Sequence, residues 1–217
     1  MSELLTNELE ILKKYKYVCG ADEAGRGPLA GPVVCSAVSF TTKTLQTKGD
    51  SELDYLLTTL NDSKKISEKK REKLFPLVKK YAEAYSIILI EPKIIDELNI
   101  LWASLEGMDQ AIELLAIKPD LCLIDGNKLP PRSASISSAV IKGDGKYLSI
   151  AGASILAKVT RDRIMIALHE EFPYYNWKKN KGYPTKEHVQ AINEHGITQY
   201  HRLSFAPCRQ LSIPGLY

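Results

Sequence analysis

Two apolar segments separated by a glycine-rich loop restrict the fold of this chain more than any other feature. Residues 16–22 and 32–40 are rich in strand-forming residues, and the loop between them runs Glu-Ala-Gly-Arg-Gly-Pro-Leu-Ala-Gly. A crossover between parallel strands needs about a dozen residues or more, usually including a helix. The two segments are therefore expected to pair as antiparallel strands.

Strand-like and helical segments alternate along the rest of the chain. Leu5, Leu9 and Leu12 recur at helical spacing, which predicts a leading amphipathic helix over 3–14. Further helices are expected at 53–60, 67–82 (with Ser67 as its N-cap), 102–117 and 148–171, and further strands at 85–90, 121–124 and 138–141. This alternation indicates an α/β fold with at least some parallel strand pairs.

Length and composition limit the class of protein. A chain of 217 residues with 44% hydrophobic content suits one domain, or one domain with a small appendage. The amino terminus lacks a signal-peptide pattern, and no apolar run approaches the roughly 18 residues of a membrane helix. We therefore expect a soluble cytoplasmic protein. The four cysteines are widely spaced, and three lie in strand-like runs, so buried thiols are favoured over disulfides or a zinc site.

Charge is unevenly distributed along the chain. Residues 61–80 carry eight basic and three acidic residues, and residues 126–217 carry thirteen and six. Residues 81–125, in contrast, carry two basic and nine acidic residues. Such segregation is compatible with a surface that binds a polyanion. For residues 64–80 taken alone, a solvated lysine-rich helix is the simpler interpretation.

Carboxylates follow three of the apolar strands. Asp22 and Glu23 end the first strand, and Asp125 and Asp144 come at or just after the ends of two others, each near a glycine. One Asp-Gly alone indicates a turn, but open α/β sheets bind ligands at the carboxyl ends of their strands. Carboxylates this close together require a cation to neutralise them. An all-oxygen set without His or Cys suits Mg²⁺ or Mn²⁺ rather than zinc.

One geometric difficulty concerns the first two of these residues. Neighbouring side chains on a regular strand point to opposite faces, so Asp22 and Glu23 cannot both face one site by simple alternation. A twist of the chain at Gly25 and Gly27 would bring Glu23 round.

At residues 20–33 the chain resembles the signature of ribonuclease HII, the bacterial type 2 ribonuclease H; the segment reads Gly-Ala-Asp-Glu-Ala-Gly-Arg-Gly-Pro-Leu-Ala-Gly-Pro-Val. Similar motifs follow in the family's order, at 62–65, 124–127, 142–144, 149–162, 181–185 with His188, and 201–205. Ribonuclease HIII is similar around Asp-Glu but lacks the Gly-Arg-Gly step. Gly152, where the family usually has alanine, and a longer insert at 41–60 are departures that leave the carboxylates intact.

The resemblance implies a ribonuclease H-like fold, with a central five-stranded mixed sheet flanked by helices and a helical C-terminal part. We expect residues 1–170 to form the catalytic domain and 171–217 to form the helical part packed on it. The resemblance also implies an endonuclease that cuts the RNA strand of RNA–DNA hybrids, and that cuts 5′ to single ribonucleotides in duplex DNA. Such an enzyme is expected to act as a monomer, with no membrane partner.

Site residues are assigned from the matching motifs. The catalytic, metal-binding carboxylates are Asp22, Glu23, Asp125 and Asp144, which would hold two Mn²⁺ or Mg²⁺ ions, with Asp22 best placed to bridge them. The residues implied to bind substrate are Gly25, Arg26, Gly27, Ser63, Lys64 and Tyr183. The glycine-flanked backbone would meet a 2′-hydroxyl, Ser63 and Lys64 would hold phosphates, and the Tyr183 ring would meet the next sugar.

Other motifs have simpler interpretations. Lys158 and Asp162 lie four residues apart, which predicts an ion pair within one helix. His188, His195 and His201 are expected to have structural or surface roles. The aromatic and basic run at 174–181 either stacks on nucleic acid or is a partly exposed loop.

Two rival functions follow from weaker signals. A nucleotide-binding enzyme would explain a glycine-rich loop after a strand, but the phosphate-binding consensus sequences are absent and carboxylates would repel a phosphate. A nucleic-acid-binding module without catalysis would explain the charge segregation but not the four carboxylates.

Overall fold

The computed structural model describes residues 2–60 and 66–211, and within these ranges a five-stranded sheet forms the centre of the molecule. The strands are β1 (Val18–Ala24), β2 (Val33–Ser39), β3 (Ala84–Ile90), β4 (Leu121–Asp125) and β5 (Ser137–Val140). Their order across the sheet is β3-β2-β1-β4-β5. β2 pairs antiparallel with β1 and β3, whereas β4 pairs parallel with β1 and β5. The predicted antiparallel pair and the mixed α/β sheet are confirmed.

Helices cover the sheet and form the C-terminal part. The helices are α1 (Glu3–Leu12), α2 (Thr42–Leu45), α3 (Ser51–Leu60), α4 (Glu68–Tyr81), α5 (Pro92–Leu98), α6 (Ile100–Glu113), α7 (Leu148–Glu171), α8 (Trp177–Asn180), α9 (Lys186–His195) and α10 (Cys208–Leu211). Ser67 caps α4 as predicted, because its hydroxyl accepts a hydrogen bond from the Lys70 N–H at 3.4 Å. No helix in the described ranges is long and apolar enough to cross a membrane.

The helix predicted at 102–117 is present as α6, but it begins two residues earlier and ends four residues earlier, at Glu113. The short helix α5 before it was not predicted, and it ends at Asn99, which adopts a positive φ of 65°. The Asn99 side chain then accepts hydrogen bonds from the first N–H groups of α6, at Leu101 and Trp102. Pro92 begins α5, a position where the missing N–H of proline costs no helical hydrogen bond.

The long helix α7 lies directly on β1. A Cβ atom at Gly20 would be 2.2 Å from the backbone nitrogen of Ile150, so only glycine permits this approach. The opposite face of the sheet is covered by α6, whose Ala111 and Ile112 share an apolar cluster with Cys19, Cys35 and other buried residues. All four cysteines are buried and free, as predicted.

The C-terminal helices pack on the far end of α7. Tyr175, Trp177 and Ile192 form an apolar cluster with Met165 of α7 and with Leu29 of the glycine-rich loop. The predicted helical C-terminal part is therefore present, and it contacts the loop that follows β1. The division of the chain after residue 170 stays a prediction.

A buried glutamate joins α1 to the start of α7. Glu8 is fully buried, and its Oε2 accepts hydrogen bonds from the N–H and hydroxyl of Ser149, at 3.2 and 3.1 Å. Oε1 has no hydrogen-bond partner among the described residues. Burial raises the pKa of Glu8 to about 7, and the bonds from Ser149 only partly oppose this shift.

The Glu8 contact makes a prediction for stability against pH. The folded state holds the Glu8 proton more tightly than the unfolded state, whose pKa is 4.5, so stability falls as pH rises from about 4.5 to about 7. Glu8→Gln removes this titration. Its unfolding free energy relative to the wild type should therefore increase between pH 5 and 8, by up to about 1.4 kcal/mol per unit of pKa shift.

Urea unfolding at several pH values measures this difference. Glu10→Gln is the matched control, because Glu10 lies on the same helix but is exposed and paired with Lys13. A difference between Glu8→Gln and wild type that does not change with pH would contradict the prediction.

Candidate active site

The parallel pairing of β1 and β4 brings two predicted carboxylates side by side. Ala21 is in register with Ile124, so the next residues, Asp22 and Asp125, lie at the same end of the sheet. Asp22 is almost completely buried, and its Oδ1 accepts a hydrogen bond of 2.7 Å from the Glu23 N–H. The Ser154 hydroxyl of α7 also donates to the Asp22 carboxylate.

The environment of Asp22 opposes its negative charge. Burial is the largest cause that raises the pKa of Asp22 well above its ordinary value, and repulsion from Glu23 and Asp125 adds to it. The hydrogen bonds from Ser154 and Glu23 only partly offset these effects. A bound cation would therefore stabilise the charged form of this site.

Glu23 lies at the open end of the sheet. Burial raises its pKa and Asp125 adds to the rise, while Arg26, 3.2 Å away, lowers it. β1 stays regularly paired through Ala24, and the chain turns immediately afterwards at Gly25, which has a φ of +99°. Charge repulsion from Glu23 raises the pKa of Asp22 although the two residues are neighbours on a regularly paired strand.

Asp125 connects the first two carboxylates to the fourth. Its Oδ1 accepts a hydrogen bond of 2.6 Å from the Gly143 N–H, and Gly143 begins the 3-10 turn that contains Asp144. Burial raises the pKa of Asp125, and the nearby charge of Asp144 raises it further. Asp144 therefore comes to the site from a turn after β5, held by Asp125.

The four carboxylates fit a hard divalent cation by their chemistry. Each brings only oxygen ligands, and burial and mutual repulsion oppose the ionised form of three of them, Asp22, Glu23 and Asp125. Within residues 2–60 and 66–211, no group of three or more His, Cys, Asp or Glu side chains already encloses an ion position. Their interactions are pairwise, linking Asp22 to Glu23 and Asp125, and Asp125 to Asp144.

Two hollows border the site, one beside Glu23 and the other beside Asp144, and both are lined by Ser154 and Lys158 of α7. The first, here called the loop hollow, has a volume of about 300 Å³ and is lined by Glu23, Ala24, Gly25, Arg26, Gly27, Ser154, Lys158 and Tyr183. The second, the Asp144 hollow, measures about 180 Å³ and is lined by Ile66, Arg71, Asp144, Ala151, Ser154, Ile155 and Lys158. The structure therefore brings Gly25, Arg26, Gly27 and Tyr183 together beside Glu23.

Ser63 and Lys64 lie outside the described residues. Tyr183 is 43% exposed, and its ring lies 3.5 Å from the position that a Cβ at Gly27 would occupy. An aromatic face and a glycine-flanked backbone thus border the same hollow.

Sequence reasoning missed Ser154, Lys158 and Arg71 as residues of the site. Lys158 does form the predicted ion pair with Asp162, at 2.7 Å, and Arg71 lies 3.6 Å from the same carboxylate. Lys158 also lines both hollows. The motif at 149–162 contains two of the three, but its helical spacing gives no indication of which face borders the site.

The histidines and the aromatic run are mostly internal. The Trp177 Nε1–H donates to His188 Nε2 at 3.0 Å, and His188 lies 3.3 Å from His201. Tyr175 and Trp177 are buried and stack with their ring centroids 4.9 Å apart, so neither is available to stack on a base. Tyr174 is 48% exposed.

Fold and site together define a ribonuclease H-like enzyme, with acidic residues where β1 and β4 end and a long helix across them. The family model for Ribonuclease HII matches residues 19–208. The Ribonuclease HII of Christiangramia forsetii is 49% identical over 188 residues, covering 87% of this chain and 89% of that protein.

Solved structures agree with this assignment. The ribonuclease H2 of Pyrococcus horikoshii has a TM-score of 0.72 and 29% identity, covering 90% of this chain and 96% of that one. The Bst-RNase HIII in complex with Mn²⁺ has a TM-score of 0.69 over 90% of this chain and 68% of its own, but at 13% identity it supports the fold alone. This chain belongs to the ribonuclease HII family. It is a ribonuclease H endonuclease that acts on RNA–DNA hybrids.

Replacing Asp22 with asparagine tests whether its buried negative charge is needed for cleavage. Asp22→Asn keeps the shape and the hydrogen bond from the Glu23 N–H but removes a buried charge that Glu23 and Asp125 repel. Cleavage of a hybrid in Mg²⁺ should fall by several orders of magnitude, while Tm in chelator should stay unchanged or rise.

The matched control is Asp120→Asn, because Asp120 also accepts a backbone hydrogen bond, from Tyr17, but lies before the opposite end of β4. Near-normal cleavage by Asp22→Asn would show that the carboxylate is not needed.

Proposed function

We propose that this enzyme incises duplex DNA on the 5′ side of a single embedded ribonucleotide, in addition to hydrolysing the RNA strand of hybrids. Asp22, Glu23, Asp125 and Asp144 are its catalytic residues. The products would carry a 3′-hydroxyl and a 5′-phosphate. The observation that supports this proposal is the loop hollow, in which a carboxylate, a glycine-flanked backbone and an exposed tyrosine ring meet.

The four carboxylates would hold two divalent ions, Mn²⁺ or Mg²⁺. Such a pair of ions can activate a water, orient the scissile phosphate and stabilise the leaving 3′ oxygen. The raised pKa of Asp22 supports this role, because a buried carboxylate repelled by its neighbours gains most from a bound cation. Asp125 would hold its orientation through the Gly143 N–H.

Ribose recognition is assigned to Gly25, Arg26 and Gly27. A 2′-hydroxyl both donates and accepts hydrogen bonds and distinguishes RNA from DNA. In the described part of the chain, the backbone N–H groups of Arg26 and Gly27 donate to no other residue. These two groups could therefore donate to a ribose hydroxyl in the loop hollow.

Phosphate binding is assigned to Ser63 and Lys64. We add Lys158 to this set, because it borders both hollows and its partner Asp162 is shared with Arg71. We also propose that the active unit is a monomer and that it acts in the cytoplasm.

The direct test uses a duplex in which one DNA strand contains a single ribonucleotide. Incubation with Mg²⁺, Mn²⁺ or chelator, followed by mapping of the labelled ends, should give one cut 5′ to the ribonucleotide and none in chelator. Extension by a polymerase identifies a 3′-hydroxyl. A cut on the 3′ side, or cleavage of hybrids without any cleavage of this duplex, would contradict the proposal.

Tyr183 should help to recognise the junction from RNA to DNA. A ring packed on a sugar favours deoxyribose, because a 2′-hydroxyl would be desolvated against an apolar face. Tyr183→Ala should therefore reduce kcat/KM for the single-ribonucleotide duplex much more than for an all-RNA strand in a hybrid. Tyr183→Phe keeps the ring and should restore most of the activity.

Tyr174→Ala is the control, because Tyr174 is similarly exposed but borders neither hollow. Equal losses on both substrates in Tyr183→Ala would mean that Tyr183 does not distinguish the junction.

A further inference from the structure

Two fully buried arginines lie beneath the glycine-rich loop. Arg161 belongs to α7 and Arg202 follows α9, and both are 0% exposed. Burial of a cation is unfavourable unless its donors are satisfied. Every hydrogen bond that the structure gives these two guanidinium groups goes to a backbone carbonyl.

Arg161 connects two separate loops. Its Nε donates to the Pro32 carbonyl at 2.9 Å, and its Nη2 donates to the Ala30 carbonyl at 3.0 Å. Its Nη1 donates to the Lys181 carbonyl at 2.9 Å, two residues before Tyr183. One side chain therefore fixes both the loop after β1 and the loop that presents the tyrosine.

Arg202 binds the Gly-Arg-Gly segment itself. Its Nη2 donates to the Gly25 carbonyl at 2.7 Å, and its Nη1 donates to the Arg26 carbonyl at 3.1 Å. Nε and Nη2 also donate to the Gly31 carbonyl, at 3.1 and 2.9 Å. The carbonyls at both ends of the loop are thus turned towards one buried cation.

The direction of these carbonyls determines the direction of two N–H groups. A trans peptide unit is planar, with its C=O and the following N–H on opposite sides. The Gly25 carbonyl points towards Arg202, so the Arg26 N–H of the same peptide unit points away from Arg202. The Arg26 carbonyl also points towards Arg202, so the Gly27 N–H points away from Arg202 as well. As noted above, neither of these N–H groups donates to another of the described residues.

We propose that Arg202, supported by Arg161, is a positioning residue that orients the Arg26 and Gly27 N–H groups towards the 2′-hydroxyl of the substrate. The proposal rests on the proposed recognition of ribose by this loop. Neither arginine touches the substrate.

The local sequence suits this arrangement. A guanidinium is a planar fork that can serve three carbonyls at fixed angles, which a lysine ammonium cannot match. A Cβ at Gly25 would lie 2.0 Å from Arg161 Nε, so the signature glycine admits the guanidinium as well as the turn. Burial, together with the Arg161 charge, lowers the pKa of Arg202 to about 9, so Arg202 stays protonated at neutral pH.

The test compares Arg202→Lys and Arg161→Lys with the control Arg163→Lys. Arg163 lies on α7 two residues beyond Arg161 but is half exposed and paired with Glu72. Fluorescence anisotropy in chelator, where the substrate stays intact, gives Kd for a duplex with one ribonucleotide and for the same duplex in all-DNA form. Arg202→Lys should reduce the preference for the ribonucleotide by about tenfold or more, without weakening binding to the all-DNA duplex.

Backbone dynamics provide a readout that does not need substrate. The ¹⁵N order parameters of residues 25–27 should fall in Arg202→Lys from rigid values of about 0.85 towards the flexible range below 0.6. In the wild type, the amide protons of Arg26 and Gly27 should shift on binding the ribonucleotide duplex and not the all-DNA duplex. This wild-type measurement tests the proposal even if the variants do not fold.

The outcomes separate two failures. If the wild type shows no preference for the ribonucleotide duplex, the proposed recognition of ribose is wrong. If the wild type shows the preference and Arg202→Lys keeps it, or loses affinity for both duplexes equally, the positioning role is wrong.

Discussion

The direct contact between α7 and β1 is the constraint on which the rest of the structure depends. At Gly20 the helix backbone lies so close that no side chain would fit. From this crossing onwards, successive turns of α7 meet successive parts of the chain after β1. Ser154 donates to Asp22, and Arg161 packs against Gly25.

The same helix continues to the C-terminal part. Met165 lies against Gly31, where a Cβ would be 2.3 Å from its sulfur, and it joins the cluster around Trp177. One helix therefore sets the relative positions of the carboxylates, the glycine-rich loop after β1 and the loop that carries Tyr183. Glu8 completes this arrangement at the other end, by accepting hydrogen bonds from the first turn of α7.

Much of this arrangement could be predicted from the sequence. The helix predicted at 148–171 matches α7 at both ends, and the short loop before β2 predicted the antiparallel pair. The acidic residues after apolar strands predicted that Asp22 and Asp125 would interact, because parallel strands end at one edge of the sheet. These features depend on the local sequence and on the direction of neighbouring strands, both of which can be inferred from the sequence.

Other features depend on contacts between distant segments. The helix α5 was not predicted, and it ends at Asn99, whose positive φ few residues except glycine and asparagine adopt. Tyr175 and Trp177 occur in a polar run, yet the C-terminal helices bury them together. The burial of Arg161 and Arg202 could not be predicted, because their partners are backbone carbonyls, which every residue has and no motif reveals.

The glycine-rich loop after β1 and the loop that carries Tyr183 form one connected unit. The Leu29 N–H donates to the Gly182 carbonyl at 2.8 Å, beside the Arg161 contacts, and the His188 ring bonds to the Tyr183 carbonyl at 3.0 Å. Burial lowers the pKa of His188 below its ordinary value. Burial also lowers the pKa of the neighbouring His201, to about 4.

The lowered pKa values of the two histidines make the stability of this unit depend on pH. The folded state binds these protons less tightly than the unfolded state, whose pKa is 6.5, so the stability of this unit is present above about pH 6.5 and falls as pH drops towards 4. At neutral pH both rings are uncharged, and His188 can accept from Trp177 at Nε2 while donating from Nδ1 to the Tyr183 carbonyl. The neutral histidine pair therefore fixes the loop that carries Tyr183 to the core of the C-terminal part, and this core sets where the tyrosine ring lies beside the glycine-rich loop.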